Sequence, residues 1–154
     1  MNWLLDLIKN PFLITGVSSW LIAQVLKVII HAIINKKFDI SRLVGDGGMP
    51  SGHSATVSSL AVICALCYGT GSVQFAITAI LAIIVCHDAM RVRREAGKQA
   101  VVLNKMIKEF DDVLTTKELT EVKLKEFVGH TLTQVIAGVF IGVANAFLMY
   151  YLFY

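Results

Sequence analysis

Residues 51–90 read SGHSATVSSLAVICALCYGTGSVQFAITAILAIIVCHDAM, two apolar runs, 51–68 and 73–90, parted by Gly69-Thr70-Gly71. An α-helix rises about 1.5 Å per residue and a bilayer's hydrocarbon is about 30 Å thick, so roughly 20 apolar residues cross it. Each run approaches that length. Glycine supplies backbone angles that other residues resist, so the short connection reads as the turn of a helical hairpin.

Two further apolar stretches, 12–34 and 127–154, lie on either side of this hairpin. Over the 154 residues, 56% are hydrophobic and 16% charged, and the mean hydropathy is +0.69. That balance excludes an ordinary soluble domain. The fold class expected is therefore all-α: a polytopic membrane bundle of four transmembrane helices. At this length one domain, 1–154, accounts for the whole chain. No apolar stretch followed by a small-residue cleavage site precedes the first span, which therefore reads as retained. Residues 1–10 form an amphipathic lead-in ending at Asn10-Pro11, a helix boundary because Pro restricts the residue before it.

Basic residues are distributed unevenly. Lys36, Lys37 and Arg42 lie in the first connection, and Arg91, Arg93, Arg94, Lys98, Lys105, Lys108, Lys117, Lys123 and Lys125 in the third. With four spans these two connections share a side. Only Lys9 falls opposite, where Trp3, Phe12, Tyr68, Phe75, Tyr150, Tyr151 and Tyr154 form an aromatic belt. The positive-inside rule places both basic connections in the cytoplasm and both termini outside. Within the third connection Val101, Val102, Met106, Ile107, Phe110, Val113 and Leu114 recur at helical spacing, which predicts an amphipathic helix on the cytoplasmic face. Thr115-x-x-Glu118 fits a capping box that starts a shorter helix. The three cysteines, Cys64, Cys67 and Cys86, all lie inside spans and read as small hydrophobes.

Three clusters carry candidate chemistry. Gly47-Gly48-Met49-Pro50-Ser51-Gly52-His53-Ser54 opens the second span. Pro50 fits the first helical position, where its missing N–H costs nothing. A helix N-terminus beside glycines presents backbone N–H groups to an anion, so Ser51 and Gly52 are candidate phosphate contacts with His53 alongside. His130 comes at the start of the fourth span, and Gln134, four residues on, shares its face if both are helical. Gly138 and Gly142 continue that stripe in a small-xxx-small pattern suited to close helix packing. At the end of the third span come Asp88, Arg91, Arg93, Arg94 and Lys98. Arg offers a planar fork of donors to phosphate oxygens, Lys a point charge, and Asp88 at membrane depth needs a cationic partner. Lys27 lies about two turns inside the first span, deeper than snorkelling explains. Four separated segments thus meet at one membrane face.

Pro50-Ser51-Gly52-His53 resembles the central motif of the PAP2 superfamily of membrane phosphatases. The longer pattern resembles its divergent branch over nearly the whole chain: GGMPSGHSA, then Asp88 with Val92-Arg93-Arg94-x-Ala96-Gly97-Lys98-Gln99-Ala100, then Gly129-His130-Thr131. The resemblance implies His53 as the acid that protonates the leaving group and His130 as the nucleophile. Lys27, Arg93, Arg94 and Lys98, with backbone donors, would hold the phosphate, Asp88 would orient them, and no metal or other cofactor is needed. The superfamily's later motif carries Ser-Arg before its histidine and Asp four residues after it. Here those positions are Lys123, Leu124 and Gln134. Its first motif, Lys followed by Arg-Pro, is absent in that form.

The function implied is a metal-independent phosphatase acting on a lipid or isoprenoid phosphate through a phosphohistidine. The alternative is a non-catalytic protein that binds or moves anionic lipid on the same scaffold. The expected setting is a bacterial cell membrane, with the site at the cytoplasmic face, membrane lipids and further copies of the chain as partners, and no nucleic acid.

The charge distribution is tested by topology. In a background with Cys64, Cys67 and Cys86 replaced by Ser, a Lys105→Cys variant in intact cells should resist impermeant thiol reagents and react only after permeabilisation. Labelling from outside would reverse the orientation.

Overall fold

This computed structural model describes residues 2–36, 48–114, 124 and 130–154, without the side chains of 92–94 and 110–114. Every regular element among them is helical: α1 (Trp3–Ile8), α2 (Pro11–Asn35), α3 (Gly52–Tyr68), α4 (Val73–Met90), α5 (Val92–Leu114) and α6 (Leu132–Phe153). The expected capping box at 115–118 lies outside the described residues.

Local chemistry accounts for the helix boundaries. Asn10 caps α2, its Oδ1 accepting from the N–H groups of Phe12 and Leu13 at 2.9 and 3.3 Å, with Pro11 in the first turn where it lacks no needed donor. Ser72 caps α4 through the Phe75 N–H. Gly69 stands at φ +82°, an angle that side chains resist, and lets α3 turn directly into α4. The hairpin of residues 51–90 is therefore present.

Of the four apolar helices, α2, α6 and the α4–α5 run are long and apolar enough to cross a bilayer, whereas α3 has 17 residues. Its setting explains its length. It packs against α2, α4 and α6, and Gly52, Ser54, Ala55, Val57, Ser58, Ser59, Ala61, Ile63 and Cys64 are all buried. A helix shielded by protein need not present a lipid-soluble surface. By contrast α4 buries only Ala89, and its Val73, Ile77, Ile80, Ile83 and Ile84 are exposed. It forms an outer wall of the bundle.

The interior is small and polar, the exterior large and apolar. Thr15, Ser19, Ser54, Ser58, Ser59 and Asn145 are buried. The Asn145 amide donates to Thr15 C=O, Ser18 Oγ and Ser19 Oγ at 3.2, 2.9 and 2.8 Å, tying α6 to α2. Where lipid is the solvent, burying an apolar chain against another gains little, and close packing with interhelical hydrogen bonds replaces it. The tightest contact is α3 with α6. A Cβ on Gly138 would collide with the Ser51 carbonyl oxygen and stand 3.1 Å from Ser54 Cβ, and one on Gly142 would collide with Ser58 Oγ and the Ala55 carbonyl. The small-xxx-small stripe is thus the α3 contact face. At the opposite end of the bundle Phe12 stacks on Tyr68 and Tyr150 on Tyr154, at ring separations of 5.4 and 5.6 Å.

Two local expectations are corrected. Pro50 is not in the helix: Ser51 is the N-cap, its Oγ accepting from the Ser54 N–H at 3.3 Å, so Pro50 falls one residue before the cap and is fully buried. The described part of the fourth span begins at Leu132, so His130 precedes the helix. Between α4 and α5 Arg91 stays in the right-handed helical region (φ −111°, ψ −67°), its N–H donating to the His87 carbonyl at 3.0 Å and its carbonyl accepting from the Glu95 N–H at 2.9 Å, so the third span runs on toward the basic connection through a local distortion. Farther along α5 Asn104 holds Leu124, exchanging hydrogen bonds with its N–H and C=O at 3.0 and 2.9 Å.

The α3–α6 contact leaves no room for a methyl group. Gly142→Ala should lower unfolding stability by about 1–3 kcal/mol, the cost of overpacking, whereas Gly71→Ala, with nothing within 4 Å of the added carbon, should stay within about 0.5 kcal/mol. Denaturation of the detergent-solubilised variants measures both, and equal effects would contradict the packing.

Candidate active site

The first turn of α3 and the chain entering α6 are held together by their backbones. Ser51 N–H donates to the Gln134 carbonyl at 3.0 Å, and His130 N–H donates to the Ala89 carbonyl, in the last turn of α4, at 2.9 Å. A carbonyl near a helix end needs an outside donor, and His130 supplies it. These two bonds suspend His130 between α4 and α3. His53, the second residue of α3, is half-buried, and its ring lies 6.4 Å from that of the buried His130, tilted by 58°. Two histidines 77 positions apart in the chain therefore share one small volume.

Gln134 reaches His130 as expected, by a different route. Thr131 caps α6: its Oγ1 accepts from the Gln134 N–H at 3.4 Å while Gln134 Oε1 accepts from the Thr131 N–H at 3.0 Å. This reciprocal capping box carries the amide back over the helix end. The same Oε1 lies 3.1 Å from His130 Nδ1. Because the Thr131 N–H requires an acceptor, the amide oxygen must face it, and the contact to Nδ1 is then carbonyl to ring nitrogen. A carbonyl only accepts, so Nδ1 carries the hydrogen and Nε2 of the neutral ring keeps its lone pair.

Lys27 is buried in α2. Gly48, at φ +90°, sits against its stem, and a Cβ there would be 3.3 Å from Lys27 Cγ, so both the backbone angle and the space call for glycine. Gly52 is similarly enclosed: a Cβ would stand 3.1 Å from Trp20 Cδ1 and 3.9 Å from the Gln24 carboxamide carbon. Ser51 serves the cap, its hydroxyl buried against Ser54 at 3.0 Å and its N–H given to Gln134. Gly52 and His53 hold the next amides of the turn.

The remaining cations are placed less closely. Arg93 and Arg94 lie in the first turn of α5, just past Arg91, with their side chains outside the described part of the structure. Lys98 is exposed and pairs with Glu95 at 2.6 Å on the same helix. Asp88 is half-buried one residue before the carbonyl that holds His130. Among the described residues no three His, Cys, Asp or Glu side chains gather closely enough to hold a metal ion.

Sequence reading passed over Trp20 and Gln24, which face Gly52, and Asn104, which holds Leu124. A polar Gln three residues before Lys27 inside an apolar span was the available signal.

The model of the divergent PAP2 family matches residues 8–145. The chain is 36% identical to the uncharacterized membrane protein YuiD of Bacillus subtilis (strain 168), over 97% of this chain and 99% of that protein. No solved structure matches it significantly.

The capping geometry can be tested without any substrate. Gln134→Leu should cost about 1 kcal/mol of stability by losing its part of the box, and Gln134→Glu should cost little, since Glu fills the same position. In nitrogen-15 spectra of the neutral protein His130 should show the Nδ1–H tautomer, and the Leu variant should lose that preference. An Nε2–H tautomer in the unaltered chain would refute the arrangement.

Proposed function

This chain belongs to the divergent PAP2 family, and we propose that it is a metal-independent phosphatase that hydrolyses a lipid or isoprenoid phosphate through a phosphohistidine. The observation that supports this most is the pairing of His53 and His130 at 6.4 Å with a ring tautomer that leaves His130 Nε2 unprotonated. A nucleophile needs the reacting atom at about 3–3.5 Å and an acid needs the leaving oxygen at about 2.6–3.2 Å on the opposite side. With the ester P–O bond those distances sum to about 7–8 Å between the two reacting nitrogens, so the two imidazoles would part as a phosphoryl group enters between them.

In the proposed reaction His130 Nε2 attacks phosphorus and a P–N bond forms as the ester P–O bond breaks. His53, protonated, gives its proton to the departing alkoxide. Water then attacks the phosphohistidine, with His53 now taking the water's proton, and phosphate and free His130 result. Splitting one displacement into two lowers each barrier. Charge building on the equatorial oxygens would be met by Lys27, by Arg93, Arg94 and Lys98, and by the amides at the α3 N-terminus. Ser51 acts by capping that turn, and Asp88 by steadying the cationic end of α4. The headgroup would enter from the cytoplasmic face, with its hydrocarbon left among the lipids around the bundle.

A second reading has one specific observation in its favour. Gln134 orients His130 but brings no negative charge to stabilise a developing imidazolium. A protein that only binds or moves anionic lipid has no use for that charge.

Purified protein should release phosphate from a panel of lipid phosphates. His53→Ala and His130→Ala should each abolish release while leaving the protein inserted and folded. Vanadate, which imitates five-coordinate phosphorus, should inhibit, and chelators should not. Gln134→Glu should raise kcat, on the order of 10²-fold if the missing charge is a lost electrostatic stabiliser, with little change in KM. Turnover that survives loss of His130 would exclude this mechanism, and absence of turnover on every substrate would favour the binding protein.

A further inference from the structure

The face of α2 that meets the start of α3 carries more polar groups than the cationic Lys27. Gln24, one turn earlier, is 6% exposed, and its Oε1 is buried without a hydrogen-bond partner among the described residues. Its carboxamide carbon lies 3.9 Å from where a side chain on Gly52 would begin. It therefore stands directly before the first turn of α3. His31, seven residues after Gln24 and so on the same helical face, has a buried Nδ1 that likewise has no partner among the described residues.

A buried carbonyl that bonds to no protein donor destabilises the fold it sits in. At a packing position an apolar residue of similar size would serve better, as Val28 and Ala23 do on the same helix. The placement beside a helix N-terminus and a buried lysine indicates what the group is for. Inorganic phosphate and monoester monoanions carry a P–OH donor as well as acceptor oxygens. A primary carboxamide serves either, its oxygen accepting from P–OH or its amide, turned over, donating to P–O⁻.

We propose that Gln24 is a phosphate-contacting residue, and that the α2 face running from it past Lys27 to His31 forms the third wall of the pocket, opposite the two histidines. The inference rests on the reading of this pocket as a phosphate site, and it does not depend on turnover.

The test is equilibrium binding of radiolabelled orthophosphate to the purified full-length chain in detergent, beside thermal melts without phosphate. Gln24→Leu should weaken binding about 10- to 100-fold, the worth of one hydrogen bond to a charged group, and leave the phosphate-free Tm unchanged or raised, since it removes an orphaned polar atom. Gln24→Glu should bind more weakly still, because a carboxylate would face the anion. Unaltered affinity in Gln24→Leu would overturn the proposal, as it would if the carbonyl served only a buried water. So would a chain that binds no orthophosphate, or weakened binding accompanied by a fall in Tm, which would make Gln24 a structural contact. Phosphate binding that depends on Gln24, in a chain that releases none from any lipid phosphate, would uphold this inference and reject the phosphatase.

Discussion

The whole arrangement depends on how closely α6 can approach α3. Gly138 and Gly142 bring their backbone against the carbonyls of Ser51 and Ala55 with no space for a methyl group between. Only at that separation can the Ser51 N–H reach the Gln134 carbonyl at 3.0 Å. This bond joins the first turns of two helices whose sequences lie far apart, and it brings His53 beside His130. Van der Waals packing of small residues thus sets the geometry of a polar site, as expected where lipid removes the usual hydrophobic drive between helices.

The same solvent explains the distribution of polarity. Thr15, Ser19, Ser54, Ser58, Ser59 and Asn145 occupy the bundle's centre, while α4 shows isoleucines to the outside. A serine or asparagine facing lipid would lose hydrogen bonds, and inside the bundle it finds a neighbouring backbone. Polar residues therefore concentrate inward, and the anion pocket proposed at one end of the interior would extend that pattern. Lys27 lies on the same inner face of α2 as Thr15 and Ser19.

Helix ends supply the site's order. His53 is in the first turn of α3, His130 lies before α6 and bonds to the last turn of α4, and Gln134 closes a capping box. These are the places where backbone donors and acceptors lack partners within the helix. Gln134 does two tasks with one oxygen, satisfying the Thr131 N–H and fixing the His130 ring. The departure from an aspartate at this position thus keeps the orienting hydrogen bond and gives up the charge.

Much of the architecture was written in local chemistry. Hydropathy marked the four apolar helices, Gly69-Thr70-Gly71 marked the hairpin, Asn10-Pro11 marked a helix start, and the spacing of Val101 to Leu114 marked an amphipathic helix. Each of these depends on neighbours a few residues away, so a one-dimensional reading suffices. The motif around Pro50 to His53 and the histidine at 130 could likewise be picked out as candidates. Tertiary structure alone decided that α3 is the central helix, since its serines looked no different from those of a lipid-facing span. It also decided that Ser51 and not Pro50 begins the turn, and that Gln134 reaches His130 through a cap rather than along a helix face. It placed Gln24 before Gly52 as well. Those outcomes follow from helix rotation and separation, which are set by contacts between residues scores of positions apart and are absent from any local pattern.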